Sequence, residues 1–227
     1  MKRIVLLLAV FALLLAGATS AVAGNPPSGD IVIEEITLQS EGDTVYGTFT
    51  MPDGVRGKMP AVLMLHGFTG DRNEGPVFQP DGSFYDFMYE RTARVFAENG
   101  IASLRIDFRG SGESVDQIGF DDTTFSGQAS DAYAGVEWLD AHRSIGDIGV
   151  LGLSQGGLVG SITAEAHKRV SSLVLWSPVA NPVDTYKTVL GSDCVADGLV
   201  DPSATCTLPW GAEVTLNQPF FTELYTT

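Results

Sequence analysis

A serine stands between two glycines directly after an apolar run, in the segment LGLSQGG at residues 151–157. The apolar run before Ser154 and the small residues after it predict a strand, a sharp turn and a helix, with Gly152 and Gly156 two positions away on either side. A serine held on such a turn can attack an acyl carbon, and the N-terminus of the following helix favours negative charge. We therefore predict that Ser154 is a nucleophile. The alternative is a glycine turn that only packs a helix on a sheet.

Acyl transfer also requires two donors for the negative oxygen that develops in the transition state, and each donor is worth about 3 kcal/mol of barrier. The backbone N–H groups of Phe68 and Gln155 are the candidates, because Phe68 follows the end of an earlier predicted strand at His66-Gly67. Phe68 can also be a core aromatic residue, and the two roles are compatible. We assign His66 to holding the loop rather than to proton transfer.

The base that would activate the serine is missing from the expected place. In strand–turn–helix serine hydrolases the chain order is Ser, then Asp or Glu, then His, and only His167 follows Ser154. His167 ends the next predicted helix, about 20 Å from the serine. His142 precedes the nucleophile strand and belongs at the opposite edge of the sheet, again roughly 20 Å away. Asp184 is a weak candidate for the acid. Three further aspartates in this region are interpreted as solvated: Asp193, Asp197 and Asp201.

Strand-like and helical patterns alternate along the chain, which predicts an α/β fold with a mostly parallel sheet flanked by helices. The first two strands are expected to form an antiparallel pair. The six predicted strands are residues 31–39, 45–50, 61–65, 101–108, 148–153 and 173–176. The predicted helices are residues 84–99, 129–142 and 157–167.

Three segments in this order resemble the α/β-hydrolase superfamily: LMLHGFTGDRN at 63–73, DFRGSGES at 107–114 and GLSQGG at 152–157. His-Gly-Phe-Thr and Ser-Gln-Gly are most similar to the cinnamoyl (feruloyl) esterase-like serine esterases. Such proteins usually carry histidine where this chain has Ser111, a departure at a structural position. The resemblance implies hydrolysis of carboxylic esters through an acyl-enzyme on Ser154, with the N–H groups of Phe68 and Gln155 as the oxyanion hole.

The resemblance also implies an inserted lid, or cap, after the sixth strand. We predict a core at residues 31–176 and the start of this cap at 177–227, where the regular alternation stops. Three aromatic residues there suit an apolar acyl pocket, or else fasten the cap to the core: Trp210, Phe220 and Phe221. Six strands leave no sequence for the two units that carry acid and base in this superfamily. We therefore expect the N-terminal portion of a longer hydrolase, truncated in or after the cap, inactive alone and with residues 173–176 as an unprotected sheet edge.

The first 23 residues predict a secretory signal peptide. Lys2 and Arg3 precede an apolar stretch at residues 4–16, and small residues at 21–23 allow cleavage after Ala23. The alternative is a membrane anchor, for which this stretch is short. Residues 24–30 form a Pro/Gly-rich linker. We predict a secreted or periplasmic protein that has no membrane association after cleavage.

The net charge of the chain and its two cysteines bear on which partners and which compartment are expected. Removal of Lys2 and Arg3 with the signal peptide shifts the net charge from −15 to −17, which opposes nucleic-acid binding. In an oxidising compartment Cys194 and Cys206 are expected to form a disulfide worth about 3 kcal/mol, the alternative being two free thiols. No metal or cofactor motif is present, so we predict none.

Three functional hypotheses follow from these features. The first is a secreted serine hydrolase that cleaves small-molecule or polysaccharide-linked esters. The second is a peptidase or amidase on the same scaffold, because the serine turn does not distinguish an ester from an amide. The third is a catalytically dead binding module that has kept the fold and lost its base.

Overall fold

The computed structural model describes residues 30–115 and 118–227. The predicted signal peptide and residues 24–29 of the predicted linker lie outside the described residues. The strands are β1 (Ile31–Ser40), β2 (Asp43–Pro52), β3 (Met59–Leu65), β4 (Pro76–Phe78), β5 (Phe84–Phe87), β6 (Ala102–Ile106), β7 (Ile145–Leu153), β8 (Val170–Trp176), β9 (Ser203–Thr207) and β10 (Glu213–Asn217). The helices are α1 (Met88–Glu98), α2 (Phe125–Ala141), α3 (Gln155–Ala166), α4 (Pro182–Val189), α5 (Ser192–Val200) and α6 (Gln218–Glu223).

Six strands form the central sheet in the order β1-β2-β6-β3-β7-β8. β1, β2 and β6 pair antiparallel, whereas β6, β3, β7 and β8 run parallel. Leu65 at the end of β3 aligns with Ile106 on one neighbouring strand and with Gly152 on the other. The loops that leave these three strands therefore meet at one edge of the sheet. This arrangement confirms the predicted fold class and the antiparallel first pair.

Helices cover both faces of the sheet, which explains why β3 at its centre has no polar side chain. Because successive strand residues point to opposite faces, Leu63 packs in one core with Val136 of α2, and Met64 packs in another with Tyr89 and Ala93 of α1. All five side chains are at most 1% exposed. The two cores hold the sheet rigid beneath the loops at its edge. Among the described residues, no helix has the length and apolar character needed to cross a membrane.

β8 forms one edge of the sheet and is open to solvent on both faces. Val174, Leu175 and Trp176 are 54%, 44% and 44% exposed. Among the described residues β8 pairs only with β7, and an apolar strand with one free edge is a template for pairing with a further strand. Sequence analysis predicted this exposed edge.

One segment differs from the prediction. Residues 84–87 were expected to begin a helix, but they form strand β5, which pairs with β4 in a hairpin. The aromatic residues in this segment favour extended backbone, so that α1 begins at Met88. Residues 177–227, hereafter the cap, contain three helices and a two-stranded sheet.

The cap has its own apolar core, in which Phe220 and Phe221 are at most 1% exposed and pack with α4 and α5 residues. Cys194 on α5 and Cys206 on β9 form a disulfide with a Cα–Cα distance of 5.7 Å. Trp210 is 64% exposed. Phe220 and Phe221 therefore build the cap itself, and Phe220 also reaches Phe68 of the core at 5.9 Å between ring centroids.

Candidate active site

Ser154 occupies the turn between β7 and α3 in a conformation that non-glycine residues rarely adopt, with φ 52° and ψ −116°. Such backbone costs about 1–3 kcal/mol and persists only where the surroundings hold it. Here the N–H of Ser154 donates to the carbonyl of Trp176 at 3.0 Å, and its own carbonyl accepts from Val179 and Gly157, each at 3.0 Å. The turn is thus fastened to the end of β8 and to the start of the cap.

The two flanking glycines allow this turn to pack. A Cβ atom on Gly152 would overlap the carbonyl oxygen of Gly156, and one on Gly156 would overlap the carbonyl oxygens of Leu65 and His66. A side chain at Gly152 would therefore push α3 away from β7, and one at Gly156 would push α3 away from the end of β3.

The loop after β3 lies directly against the serine. A Cβ atom on Gly67 would be 3.5 Å from the Cβ of Ser154. The loop is held by Glu74, whose Oε2 accepts the N–H of Gly67 at 2.7 Å. Phe68 comes next in the chain, so its N–H belongs to the immediate surroundings of Ser154.

The ring of His66 holds the same loop in place through two hydrogen bonds to backbone groups. The N–H of Phe108 donates to His66 Nε2 at 3.1 Å, so the ring proton lies on Nδ1, which donates to the carbonyl of Gly67 at 2.8 Å. The ring is 1% exposed. With both nitrogens bonded to backbone, His66 has no free position from which to accept a proton from Ser154.

The two predicted oxyanion donors are free within the described residues. The N–H groups of Phe68 and Gln155 donate to no acceptor in residues 30–115 and 118–227. Gln155 is the first residue of α3, where helical N–H groups have no partner in their own helix. The arrangement can therefore accept a negative oxygen beside Ser154. The assignment of the two donors stays a prediction.

The side chain of Gln155 is fixed by a buried hydrogen-bond chain that sequence analysis missed. Its Nε2 donates to Gln128 Oε1 at 2.7 Å, and Gln128 Nε2 donates to Thr123 Oγ1 at 3.1 Å. From the cap, the hydroxyl of Tyr186 donates to Gln155 Oε1. Burial raises the pKa of Tyr186, which keeps this donor protonated. No spacing pattern in the sequence indicates these pairings, because the partners lie 27 and 31 residues from Gln155.

A buried ion pair supports the loop that leaves β6. Arg109 donates from Nε and Nη2 to Asp131 Oδ1 at 3.0 and 2.8 Å, and its backbone N–H donates to Oδ2 at 2.8 Å. The two side chains are 7% and 0% exposed. These three hydrogen bonds tie the loop to α2, and sequence analysis did not identify them.

The remaining histidines lie far from the serine. His167 follows the last residue of α3, whose 12 residues span about 18 Å. His142 precedes β7, whose nine residues span roughly 30 Å, and its ring packs on Phe49 and Trp138. Asp184 is exposed and accepts from Asn181 at the start of α4. No described residue therefore completes a triad with Ser154.

The sheet, the strained serine turn and the loop against it define an α/β-hydrolase, which confirms the predicted superfamily. The sequence profile of the X-Pro dipeptidyl-peptidase (S15) family matches residues 41–207. The chain belongs to this hydrolase family.

Two curated relatives share the description "uncharacterized 31.7 kDa protein in traX-finO intergenic region" and come from Escherichia coli. One is 30% identical over 142 residues, which is 62% of this chain and 44% of the relative. The other is 30% identical over 125 residues, which is 54% of this chain and 38% of the relative. The chain thus spans less than half the length of these curated relatives.

Solved structures show the same fold. Est1E from Butyrivibrio proteoclasticus with bound ferulic acid has a TM-score of 0.65 at 22% identity, over 85% of this chain and 71% of that chain. A putative hydrolase from Agrobacterium vitis S4 has a TM-score of 0.66 at 16% identity, over 87% and 72% of the two chains. At this level of identity the similarity concerns the fold alone.

Proposed function

We propose that this chain carries the nucleophile and oxyanion hole of a secreted serine hydrolase that cleaves carboxylic esters through an acyl-enzyme on Ser154. The observation that carries the proposal is the strained Ser154 turn, which lies against Gly67. A Cβ atom built on Gly67 would be 3.5 Å from the Cβ of Ser154. The N–H groups of Phe68 and Gln155, the residues that follow Gly67 and Ser154, donate to no acceptor within residues 30–115 and 118–227. Acyl transfer requires a nucleophile held in a defined position and free donors beside it. A turn that only packs a helix on a sheet requires neither.

The proton acceptor in this proposal comes from outside the described residues. His66 is bonded at both nitrogens, and His142 and His167 are separated from Ser154 by a strand and by a helix. A further strand could pair at the open edge of β8. At the end of β8, the carbonyl of Trp176 accepts the N–H of Ser154. A strand paired there would end beside the serine, since parallel strands end at the same edge of the sheet.

An ester substrate is favoured over an amide by the similarity in fold to Est1E, which is described with bound ferulic acid. We include small-molecule and polysaccharide-linked hydroxycinnamoyl esters among the candidate substrates. A peptidase is the second candidate, because the matching family is described as X-Pro dipeptidyl-peptidase. The predicted signal peptide and the Cys194–Cys206 disulfide support secretion, since disulfides persist mainly in oxidising compartments.

Acylation of Ser154 is the direct test. The chain is incubated with p-nitrophenyl acetate and with imidazole, which supplies the missing base in solution. Intact-mass measurement and peptide mapping should find one acetyl group on Ser154 in the wild type and none in Ser154→Ala. Ser161→Ala, on the same helix, is the matched control and should be acylated like the wild type. Equal acylation of the wild type and Ser154→Ala would refute the nucleophile.

Two further measurements separate the alternatives. Methyl ferulate and an Ala-Pro p-nitroanilide, offered to the protein translated from its complete gene, distinguish an esterase from a dipeptidyl-peptidase. Ser154→Ala should reduce either activity by about 10⁶-fold. The reading frame after the codon for Thr227 is also informative: an aspartate at a strand end and a later histidine support the enzyme, and an immediate stop codon favours the binding module.

A further inference from the structure

The peptide group between Gly67 and Phe68 carries one of the two candidate oxyanion donors. Its orientation decides whether the Phe68 N–H can reach a negative oxygen beside Ser154. Glycine restricts the backbone less than any other residue, so Gly67 does not fix this orientation by its own sterics. Contacts from outside the residue must do so, and the structure supplies them on both sides of Gly67.

The carbonyl side of Gly67 is held by two donors. Its oxygen accepts from Nδ1 of the His66 ring at 2.8 Å and from the N–H of Gly70 at 3.1 Å. Because a trans peptide group is planar, the Phe68 N–H points away from the Gly67 carbonyl, and therefore away from both donors. These bonds set the tilt of the peptide group that carries the candidate donor.

The N–H side of Gly67 is held by the carboxylate of Glu74. Oε2 accepts the Gly67 N–H at 2.7 Å, and Oε1 accepts the N–H of Gly75 at 3.3 Å. A Cβ atom on Gly67 would be 3.7 Å from this Oε2 and 3.5 Å from the Cβ of Ser154. The carboxylate thus lies close behind the residue that faces the serine. A hydrogen bond to a carboxylate is roughly twice as strong as one between neutral groups.

The backbone of Glu74 is in a conformation that non-glycine residues rarely adopt, with φ 55°. Thr69, in the same loop, has φ 61°. The N–H of Glu74 donates to the carbonyl of Asp71 at 2.9 Å, which closes the turn. Such backbone costs about 1–3 kcal/mol and is typical of segments that position functional groups. A glycine at this position would relieve the strain and would lose the carboxylate.

Gly70 leaves open the space that these contacts need. A Cβ atom on Gly70 would be 3.1 Å from Oε2 of Glu74. The same atom would be 3.2 Å from the Gly67 carbonyl oxygen and 3.3 Å from Nδ1 of His66. Both sets of hydrogen bonds that hold Gly67 therefore meet at a position without a side chain.

We propose that Glu74 is a positioning residue for acyl transfer: through the N–H of Gly67, its carboxylate sets the direction of the Phe68 N–H toward the oxyanion. In this role Glu74 touches neither the substrate nor Ser154. The inference rests on the proposed function, because it takes the Phe68 N–H to be an oxyanion donor. A glutamate that only stabilised the loop would affect folding, whereas a positioning residue changes the acylation step at constant ester binding.

The rate at which p-nitrophenyl acetate acetylates Ser154, with imidazole as the base, tests this role. Its dependence on ester concentration gives a maximal rate and a half-saturating concentration. Glu74→Ala should lower the maximal rate by about 10²-fold and leave the half-saturating concentration unchanged, since an oxyanion donor acts on the transition state. Glu98→Ala, which removes an exposed carboxylate on α1, is the control and should match the wild type.

Two conservative variants separate the hydrogen bond from the charge. Glu74→Gln keeps an acceptor oxygen at the same reach and loses the charge, so its maximal rate should stay within about 3-fold of the wild type. Glu74→Asp keeps the charge, but its side chain is one methylene too short to reach the Gly67 N–H. It should therefore lose about as much rate as Glu74→Ala.

A thionoester provides a readout that the yield of folded protein does not move. In p-nitrophenyl thionoacetate a sulfur atom replaces the carbonyl oxygen, and sulfur accepts hydrogen bonds weakly. The ratio of ester to thionoester acylation rates therefore reports the oxyanion donors. It should fall toward the ratio for imidazole alone in Glu74→Ala and Glu74→Asp, and it should be retained in Glu74→Gln. If Glu74→Ala does not fold, Gly70→Ala, which presses on the carboxylate, should lower the ratio in the same direction.

Three results would overturn the role of Glu74. The first is a wild-type ratio in Glu74→Asp and Gly70→Ala. The second is an equal loss of rate in Glu74→Gln and Glu74→Ala, and the third is a lower yield of folded Glu74→Ala with the wild-type ratio. Failure of the proposed function appears separately, as absence of acetylation on Ser154 in the wild type.

Discussion

The hydroxyl of Tyr186, on the first helix of the cap, donates a hydrogen bond to the side-chain oxygen of Gln155, the residue that follows the candidate nucleophile. Tyr186 is 1% exposed and also packs edge-on against Phe68 at 5.4 Å between ring centroids. One cap residue therefore contacts both residues whose N–H groups form the candidate oxyanion hole. Cap docking and the geometry of the site are coupled through this side chain.

Removal of that hydroxyl should destabilise the chain. Tyr186→Phe leaves Gln155 Oε1 buried without the donor, at a cost of about 1–3 kcal/mol in the free energy of unfolding. Urea unfolding of the two proteins measures the difference. Tyr225→Phe, at a tyrosine that is 50% exposed, is the control and should change stability by less than about 0.5 kcal/mol. Equal stability of Tyr186→Phe and wild type would contradict the coupling.

The buried ion pair between Arg109 and Asp131 should matter far more than an exposed one. Asp131→Asn removes the buried negative charge that faces the Arg109 guanidinium and should cost about 3 kcal/mol or more. Asp140→Asn is the matched control, because Asp140 pairs with Arg169 at 2.7 Å where both side chains are more than 40% exposed. That change should cost no more than about 1 kcal/mol. Chemical denaturation of both variants provides the comparison, and similar losses would argue against the structural role of Asp131.

Gly156 should not tolerate a side chain. In Gly156→Ala the new methyl group overlaps the carbonyl oxygens of Leu65 and His66, so α3 must move away from the sheet. We expect a loss of more than about 4 kcal/mol or no soluble protein. Gly75→Ala is the control, since a Cβ atom on Gly75 meets nothing within 4 Å. Expression level and thermal unfolding report the outcome, and a wild-type melting temperature for Gly156→Ala would show that the turn is not packed as described.

Stability should fall at alkaline pH because two phenols are buried. Burial raises the pKa of Tyr89 and of Tyr186 above the ordinary value of 10.0. Between that value and the raised pKa, the unfolded chain releases the phenolic protons and the folded chain keeps them, so the free energy of unfolding decreases as pH rises. Their contribution is complete below pH 10 and declines above it by about 1.4 kcal/mol per pH unit for each phenol.

Urea unfolding at pH 9 to 11 measures this slope. Tyr89→Phe and Tyr186→Phe should each reduce it by about 1.4 kcal/mol per pH unit, since each removes one titrating group. Tyr225→Phe should leave it unchanged. A slope that neither core variant alters would mean that other groups control the alkaline transition.

The sequence alone determined the six-strand core and the serine turn. Apolar runs of strand length, the glycines at 152 and 156, and the order of the three motifs are local features, and local backbone preferences and sterics act through neighbouring residues. The same locality explains the error at residues 84–87. Their aromatic residues extend as β5 because β4 is available for pairing, and pairing is not a property of the segment itself.

Tertiary structure alone decided which distant groups meet at the site. The contacts of Gln155 with Gln128 and Tyr186, and of Arg109 with Asp131, join residues from separate elements. Sequence spacing carries no signal for such pairs, because each depends on how the sheet brings strand ends together and how the cap packs on them. The sequence thus specifies the chemistry available to Ser154, and packing specifies the surroundings in which that chemistry takes place.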